Sequence, residues 1–162
     1  MAITKIQSES LNLADDFAFT GTITGAGGNM LPAFNAYSGD ISLTSGVATK
    51  LSVTEVYDTD GAYNGTTFTV PSGQAGKYFF YVTGVHYAIS GNATQGIFWL
   101  YKNGSAIRNT ELYNLSVFRN HGITGNFSLE LIAGDYIELY GLTNGTNPGI
   151  GTVNFGGYKI IE

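Results

Sequence analysis

Cysteine is absent from the 162 residues, which excludes disulfides and thiolate metal sites. Proline occurs only three times, and charged residues make up 12% of the chain, about half the ~25% usual in globular proteins. The seven basic residues stand singly, at Lys5, Lys50, Lys77, Lys102, Arg108, Arg119 and Lys159, under a net charge of −5. Neutralising a phosphate backbone or an anionic bilayer takes clustered Lys and Arg, so neither nucleic acid nor a membrane is an expected partner. Long apolar runs are missing too: stretches such as Gly96-Ile97-Phe98-Trp99-Leu100-Tyr101 are far too short to span a bilayer. The first residues do not combine a charged segment with an apolar one, so the sequence predicts no secretory leader.

What is present is glycine, 23 residues, together with 14% aromatics and many Thr. That mixture suits short strands joined by tight turns. Strand-like runs are predicted near 32–37, 47–57, 66–71, 77–89, 95–102, 106–118, 124–132, 135–143 and 151–161. Between them stand Asp60-Gly61, Asn64-Gly65, Ser72-Gly73, Asn103-Gly104 and Gly134-Asp135, pairs that tolerate the positive φ angles of tight turns. No useful length of the chain shows helical 3.6-residue periodicity. The expected organisation is an N-terminal arm with a Gly-rich hinge, residues 1–29, ahead of an all-β sandwich head, residues 30–162. The hinge, Gly25-Ala26-Gly27-Gly28-Asn29, lacks the spacing of a phosphate loop.

The segment from Lys77 to Ile89 carries apolar or aromatic residues on both strand faces: Tyr78, Phe80, Val82, His86 and Ala88 on one, Phe79, Tyr81, Val85, Tyr87 and Ile89 on the other. A strand with one wet face should alternate apolar and polar. A two-sheet sandwich covers one face only, so the other needs a second cover, either a further copy of the chain or a third layer within one subunit. A further copy is the favoured reading. The residues assigned to such an interface are Tyr78, Phe80, Val82, Phe98, Leu100, Phe155 and Tyr158, although the sequence leaves open which face is core.

A series of short motifs then accumulates in order: Pro32-Ala33-Phe34-Asn35-Ala36-Tyr37, Val56-Tyr57-Asp58 with Ala62-Tyr63, and Thr67-Phe68-Thr69-Val70-Pro71 followed by Gly73, Gly76, Tyr78 and Phe80. Leu100 with Lys102-Asn103-Gly104 follows, then the run from Leu129 to Leu139 through Ala133-Gly134-Asp135, and finally Phe155-Gly156-Gly157-Tyr158-Lys159-Ile160. Residues 32–161 in this arrangement resemble the complement C1q/TNF-like jelly-roll family. The resemblance implies a ten-strand jelly roll and a homotrimer around an aromatic axis, while the residue inventory (no Cys, two isolated His, no clustered acids) predicts no enzymatic activity. Region 105–125 matches nothing in that pattern, so the family's ligand-binding loops do not transfer. The arm resembles segments that precede such heads in virion proteins of marine bacteriophages. Together these imply a homotrimeric virion protein, a fibre head or a capsid or tail appendage, made in the host cytoplasm and attached to a larger assembly through its arm. A host-surface glycan or protein is its expected partner. A soluble extracellular lectin and a purely structural decoration protein are the competing readings.

Chemistry-bearing residues are few. His86 sits mid-strand among aromatics and reads as a packed histidine; His121, in Arg119-Asn120-His121-Gly122, reads as a surface loop residue without a triad context. Asp58-Thr59-Asp60-Gly61 opens like a calcium loop, but the position where the pattern needs Glu is Thr69, so a solvated turn is expected, with at most a weak calcium site. No catalytic residue, cofactor or resident metal is predicted. Tyr57, Tyr63, Tyr87, Tyr101, Tyr113 and Tyr140 suit sugar recognition, because a ring face packs on sugar C–H groups, but aromatic packing in the core and interface is the expected role of most of them. Tyr113, Asn114, Arg119 and His121 are the surface-recognition candidates.

Overall fold

The computed structural model describes residues 30–160, and within β8 the side chains of Asn114 and Leu115 fall outside that description. The predicted arm, residues 1–29, lies outside the described residues. Eleven strands run in the order β1 (Ala33–Ser38), β2 (Ile41–Ser42), β3 (Thr49–Lys50), β4 (Thr54–Asp58), β5 (Thr67–Thr69), β6 (Gly76–Ala88), β7 (Ala93–Lys102), β8 (Ser105–Phe118), β9 (Asn120–Leu131), β10 (Tyr136–Thr143) and β11 (Pro148–Lys159). No helix occurs among the described residues.

The strands form two antiparallel sheets. The first has the order β4-β1-β11-β6-β9, with β2 beside β11; the second has the order β3-β10-β7-β8, with β5 beside β10. The chain switches repeatedly between sheets, so both sheets mix early and late segments, as in a jelly roll. β7 and β8 are joined by the two residues Asn103 and Gly104 at φ values of 51° and 78°, the paired positive angles of a hairpin turn whose twist matches its strands. The β8–β9 connection is shorter than predicted: only Arg119 separates the strands, and it carries the chain from the second sheet into the first. His121 therefore lies in a strand, opposite His86, and not in a loop.

Alternate residues of β6 face inward, and Tyr78, Phe80, Val82, His86 and Ala88 are all fully buried. They close on an aromatic cluster. Phe34 stacks on Tyr63 at 4.6 Å and on Phe68 at 5.1 Å, Phe80 meets Phe68 at 5.6 Å, and Phe155 meets Phe34 edge-on at 5.2 Å. From the second sheet Phe98, Leu100, Ile137 and Leu139 complete the core, each no more than 1% exposed.

This packing corrects the interface assignment. Tyr78, Phe80, Val82, Phe98 and Leu100 are 0% exposed and Phe155 is 1% exposed within a single chain, so they have no surface left for a partner to cover. Tyr158 alone of the seven lies on the outer face, partly exposed. The sequence pattern misassigned the faces because both are apolar, and the choice between them is made by Phe34, Phe68 and Phe155, which come from distant segments. Tyr63, counted among the sugar-binding candidates, is also core: it is 4% exposed and its hydroxyl donates to the Val53 carbonyl at 3.1 Å.

Candidate functional site

The outward face of the first sheet carries the second set of aromatics. Phe79, Tyr81, Thr83, Val85 and Tyr87 project from β6, each half-buried. Register places Tyr158 of β11 between Ala33 and Phe79, Gly156 between Asn35 and Tyr81, and Asn154 between Tyr37 and Thr83. Tyr57 of β4 continues the row beyond Asn35. Phe79 and Tyr158 lie 5.5 Å apart, and the outermost rings, Tyr37 and Tyr57, are 48% and 51% exposed.

Two glycines flatten this face. A Cβ at Gly156 would collide with the Tyr81 phenol, and one at Gly149 with that of Tyr87, so their absence lets both rings lie down across β11. Asn35 Nδ2 donates to the Tyr81 hydroxyl at 2.8 Å and fixes the ring in that position. Beside it β11 bulges, with a register shift between Gly151 and Asn154 and Thr152 at φ 52°. The bulge borders a hollow of about 370 Å³ lined by Asp40, Val85, Tyr87, Asn120, Gly151 and Thr152. The result is a broad, rigid sheet face rich in tyrosine and nearly free of charge.

The four surface-recognition candidates are divided between the sheets. Tyr113 lies in β8 of the second sheet opposite Gln95 and is 70% exposed. Asn114 follows it in β8, and its side chain is not described. Arg119 is exposed at the crossing, where its carbonyl accepts the Ala88 N–H at 2.9 Å. His121 is exposed in β9 of the first sheet, edge-on to Phe118 at 5.8 Å. Trp99, absent from the sequence-derived site candidates, stands directly opposite Tyr140 on the outer face of the second sheet. Its signal was present in the alternation of Phe98, Trp99, Leu100 and Tyr101, once β7 is known to have one dry face.

The acidic turns are held by their own backbone. Asp58 accepts the Asp60 N–H at 3.2 Å and the Tyr63 N–H at 2.6 Å. Among the described residues no three His, Asp or Glu side chains converge in a way that could hold a metal ion. Asp135 joins two of the sequence motifs in space. It pairs with Lys102 Nζ at 2.7 Å, accepts Asn103 Nδ2 at 2.7 Å and the Ile132 N–H at 2.9 Å, while Asn103 Oδ1 accepts the Tyr136 N–H at 2.9 Å. Burial pushes the Asp135 carboxyl up, but the bonds from Lys102, Ile132 and Asn103 together hold it below the usual carboxylate range. Its contribution is therefore present above the unfolded value of 3.8 and lost as pH falls below it. Replacing Asp135 with Ala strands three donors at once and is expected to cost about 2 kcal/mol in urea unfolding at pH 7. A loss below about 0.5 kcal/mol would show that the motif is decorative.

No protein-family model matches the chain, and neither does any curated protein sequence. Solved structures do. The globular domain of zebrafish complement 1qA protein superposes with a TM-score of 0.61 at 15% identity, over 81% of this chain and 98% of that one. The structure of Eiger TNF from S. frugiperda superposes with a TM-score of 0.57 at 12% identity, over 81% and 94%. At these identities the likeness is one of fold: the chain is an all-β jelly roll of the C1q/TNF type.

Proposed function

We propose that this chain is the head of a homotrimeric virion structural protein, a phage fibre tip or a capsid or tail appendage, whose exposed surfaces meet the host. The observation that carries the trimer is the outer face of the first sheet. Tyr37, Tyr57, Phe79, Tyr81, Val85, Tyr87 and Tyr158 share one surface dominated by aromatic rings, with charge only at its borders (Asp40, Lys77 and Glu130), and a sandwich of two layers has no third layer to cover it. Three copies packed through that face would bury it around an axis, and a closed ring leaves no unmatched surface to propagate. The resemblance of the arm to segments preceding phage heads supports the attachment role. Strands, turns and core all serve to hold surfaces in place, and the reading assigns no reaction to them.

The trimer is tested by placing charge on that face. The double variant Tyr57→Glu, Tyr81→Glu adds two like charges per copy to the face and touches no core ring. It is expected to elute and scatter as a folded monomer at micromolar concentration, with the circular dichroism of the parent. A variant that keeps the parent's mass contradicts the assigned face. Immunogold labelling of intact particles tests the virion location; label confined to the lysate, with none on particles, contradicts it.

A further inference from the structure

The other side of the sandwich carries a smaller and different surface. On β10, Glu138 and Tyr140 point away from the core, and on β7 so do Trp99 and Tyr101; Tyr140 lies opposite Trp99 and Glu138 opposite Tyr101. The Tyr101 and Tyr140 rings stack with centroids 4.0 Å apart and 23° between planes, and all three rings are partly exposed. Polar groups frame them. Lys50 Nζ is held by Glu138 Oε1 at 2.6 Å and Thr67 Oγ1 at 2.9 Å, Asn109 stands opposite Trp99, and Gln95 Nε2 donates to Glu111 Oε1 at 2.9 Å.

We propose that this face binds a neutral pyranose glycan, with Trp99, Tyr101 and Tyr140 as the stacking platform and Glu138, Asn109 and Glu111 as hydroxyl partners. Three observations select that ligand. Ring faces bordered by fixed carboxylate and amide groups match a sugar, which offers C–H groups on its faces and hydroxyls around its edge. Charge excludes an anionic ligand: Lys50 is already neutralised by Glu138, Glu111 is exposed and anionic, and the whole chain carries −5. The size of the patch excludes a large protein partner. Ile97 and Leu142, next in the same rows, are only 4% and 8% exposed, so the apolar surface of the three rings is not continued along β7 or β10, and Tyr113, 70% exposed on the same face of β8, is set apart from it by Asn109 and Glu111. Stable protein interfaces bury about 800 Å² per partner. Glu138 and Glu111 are also held, by Lys50 and Gln95, before any ligand arrives, which lowers the entropy lost on binding.

This inference deepens the proposed host-contact role and names its ligand class. The site is complete within one protomer and lies on the sheet opposite the association face, so it stands or falls separately from the trimer. Trp99 is the chain's only tryptophan, which makes its fluorescence a reporter of this one place. Neutral hexasaccharides of glucose, mannose, galactose and xylose are titrated into the full chain, with dextran sulfate as the anionic comparison. The expected result is a saturable shift of the emission with at least one neutral hexasaccharide and none with dextran sulfate. Tyr140→Ala is expected to weaken that binding at least tenfold with the parent's mass and circular dichroism unchanged. Tyr101→Ala is a second variant for the case in which Tyr140→Ala does not fold. The proposal is overturned if no neutral hexasaccharide gives a saturable shift, if dextran sulfate binds as well, or if binding survives the loss of either tyrosine. Retention on bacterial envelopes that resists periodate but not protease would identify a protein occupant and overturn it equally.

Discussion

Replacing Phe80 with alanine is expected to lower the free energy of unfolding by about 4 kcal/mol, the range found for large aromatic truncations in closed cores. Phe80 is 0% exposed and its ring has aromatic neighbours on several sides: Phe68 at 5.6 Å, Tyr78 at 6.1 Å, and Phe34 and Phe155 at 6.4 Å. Collapse around the cavity is blocked from both sheets, because these rings support one another and β6 is hydrogen-bonded to β9 and β11. A domain of this size holds only about 5–15 kcal/mol in total, so the variant should approach the limit of folding. Urea unfolding at fixed protein concentration measures the loss, and a decrease below 1 kcal/mol would place Phe80 outside the core. The outcome also separates the two faces of β6. A residue at a subunit interface would show its loss as a concentration-dependent change of mass, whereas Phe80 should show it as lost stability.

Acid is expected to weaken the fold through His86. The ring is fully buried, packs edge-on against Phe98 at 4.5 Å, and has Nδ1 2.7 Å from the Thr143 hydroxyl. That hydroxyl donates to the Gly149 carbonyl at 3.2 Å, so it accepts from Nδ1–H, and Nε2 is left buried without a hydrogen-bond partner. Burial pushes the imidazole down to about 4 from its ordinary 6.5, with His121 adding to the effect and a backbone bond at Leu142 opposing it. The unfolded chain therefore takes up a proton below pH 6.5 that the folded chain refuses until about pH 4. Stability is complete above 6.5 and falls as pH drops through that window, by about 3 kcal/mol over the whole of it. His86→Gln removes the titration and keeps a donor for Thr143, so the difference between parent and variant should grow smoothly from pH 7 to pH 4.5 in chemical unfolding. Parallel curves for the two proteins would show that His86 does not titrate on unfolding.

The sequence carried the architecture because turn chemistry and strand alternation are local. Asn103-Gly104 could be placed in a hairpin from two residues, and Gly134-Asp135 in a turn, and both stand there with positive φ at Asn103, Gly104 and Gly134. The packed state of His86 was legible for the same reason, since its neighbours in the strand are aromatic. What was not legible depends on partners remote in the chain. The inward face of β6 is chosen by Phe34, Phe68 and Phe155, none of them within ten residues of Phe80, and so six of the seven interface candidates, all but Tyr158, were drawn from the core. The flatness of the outer face depends on Gly149 and Gly156 lying beneath Tyr87 and Tyr81, a pairing of β11 with β6 that composition does not reveal. Trp99 gained meaning only when β10 brought Tyr140 beside it.

The central claim is that the tyrosine-rich face of the first sheet is covered by copies of the same chain. Sedimentation equilibrium of the full chain at micromolar concentration tests it most directly. The account predicts a single species of three times the 17.2 kDa chain mass, independent of loading concentration. A species of one chain mass across that range would contradict it.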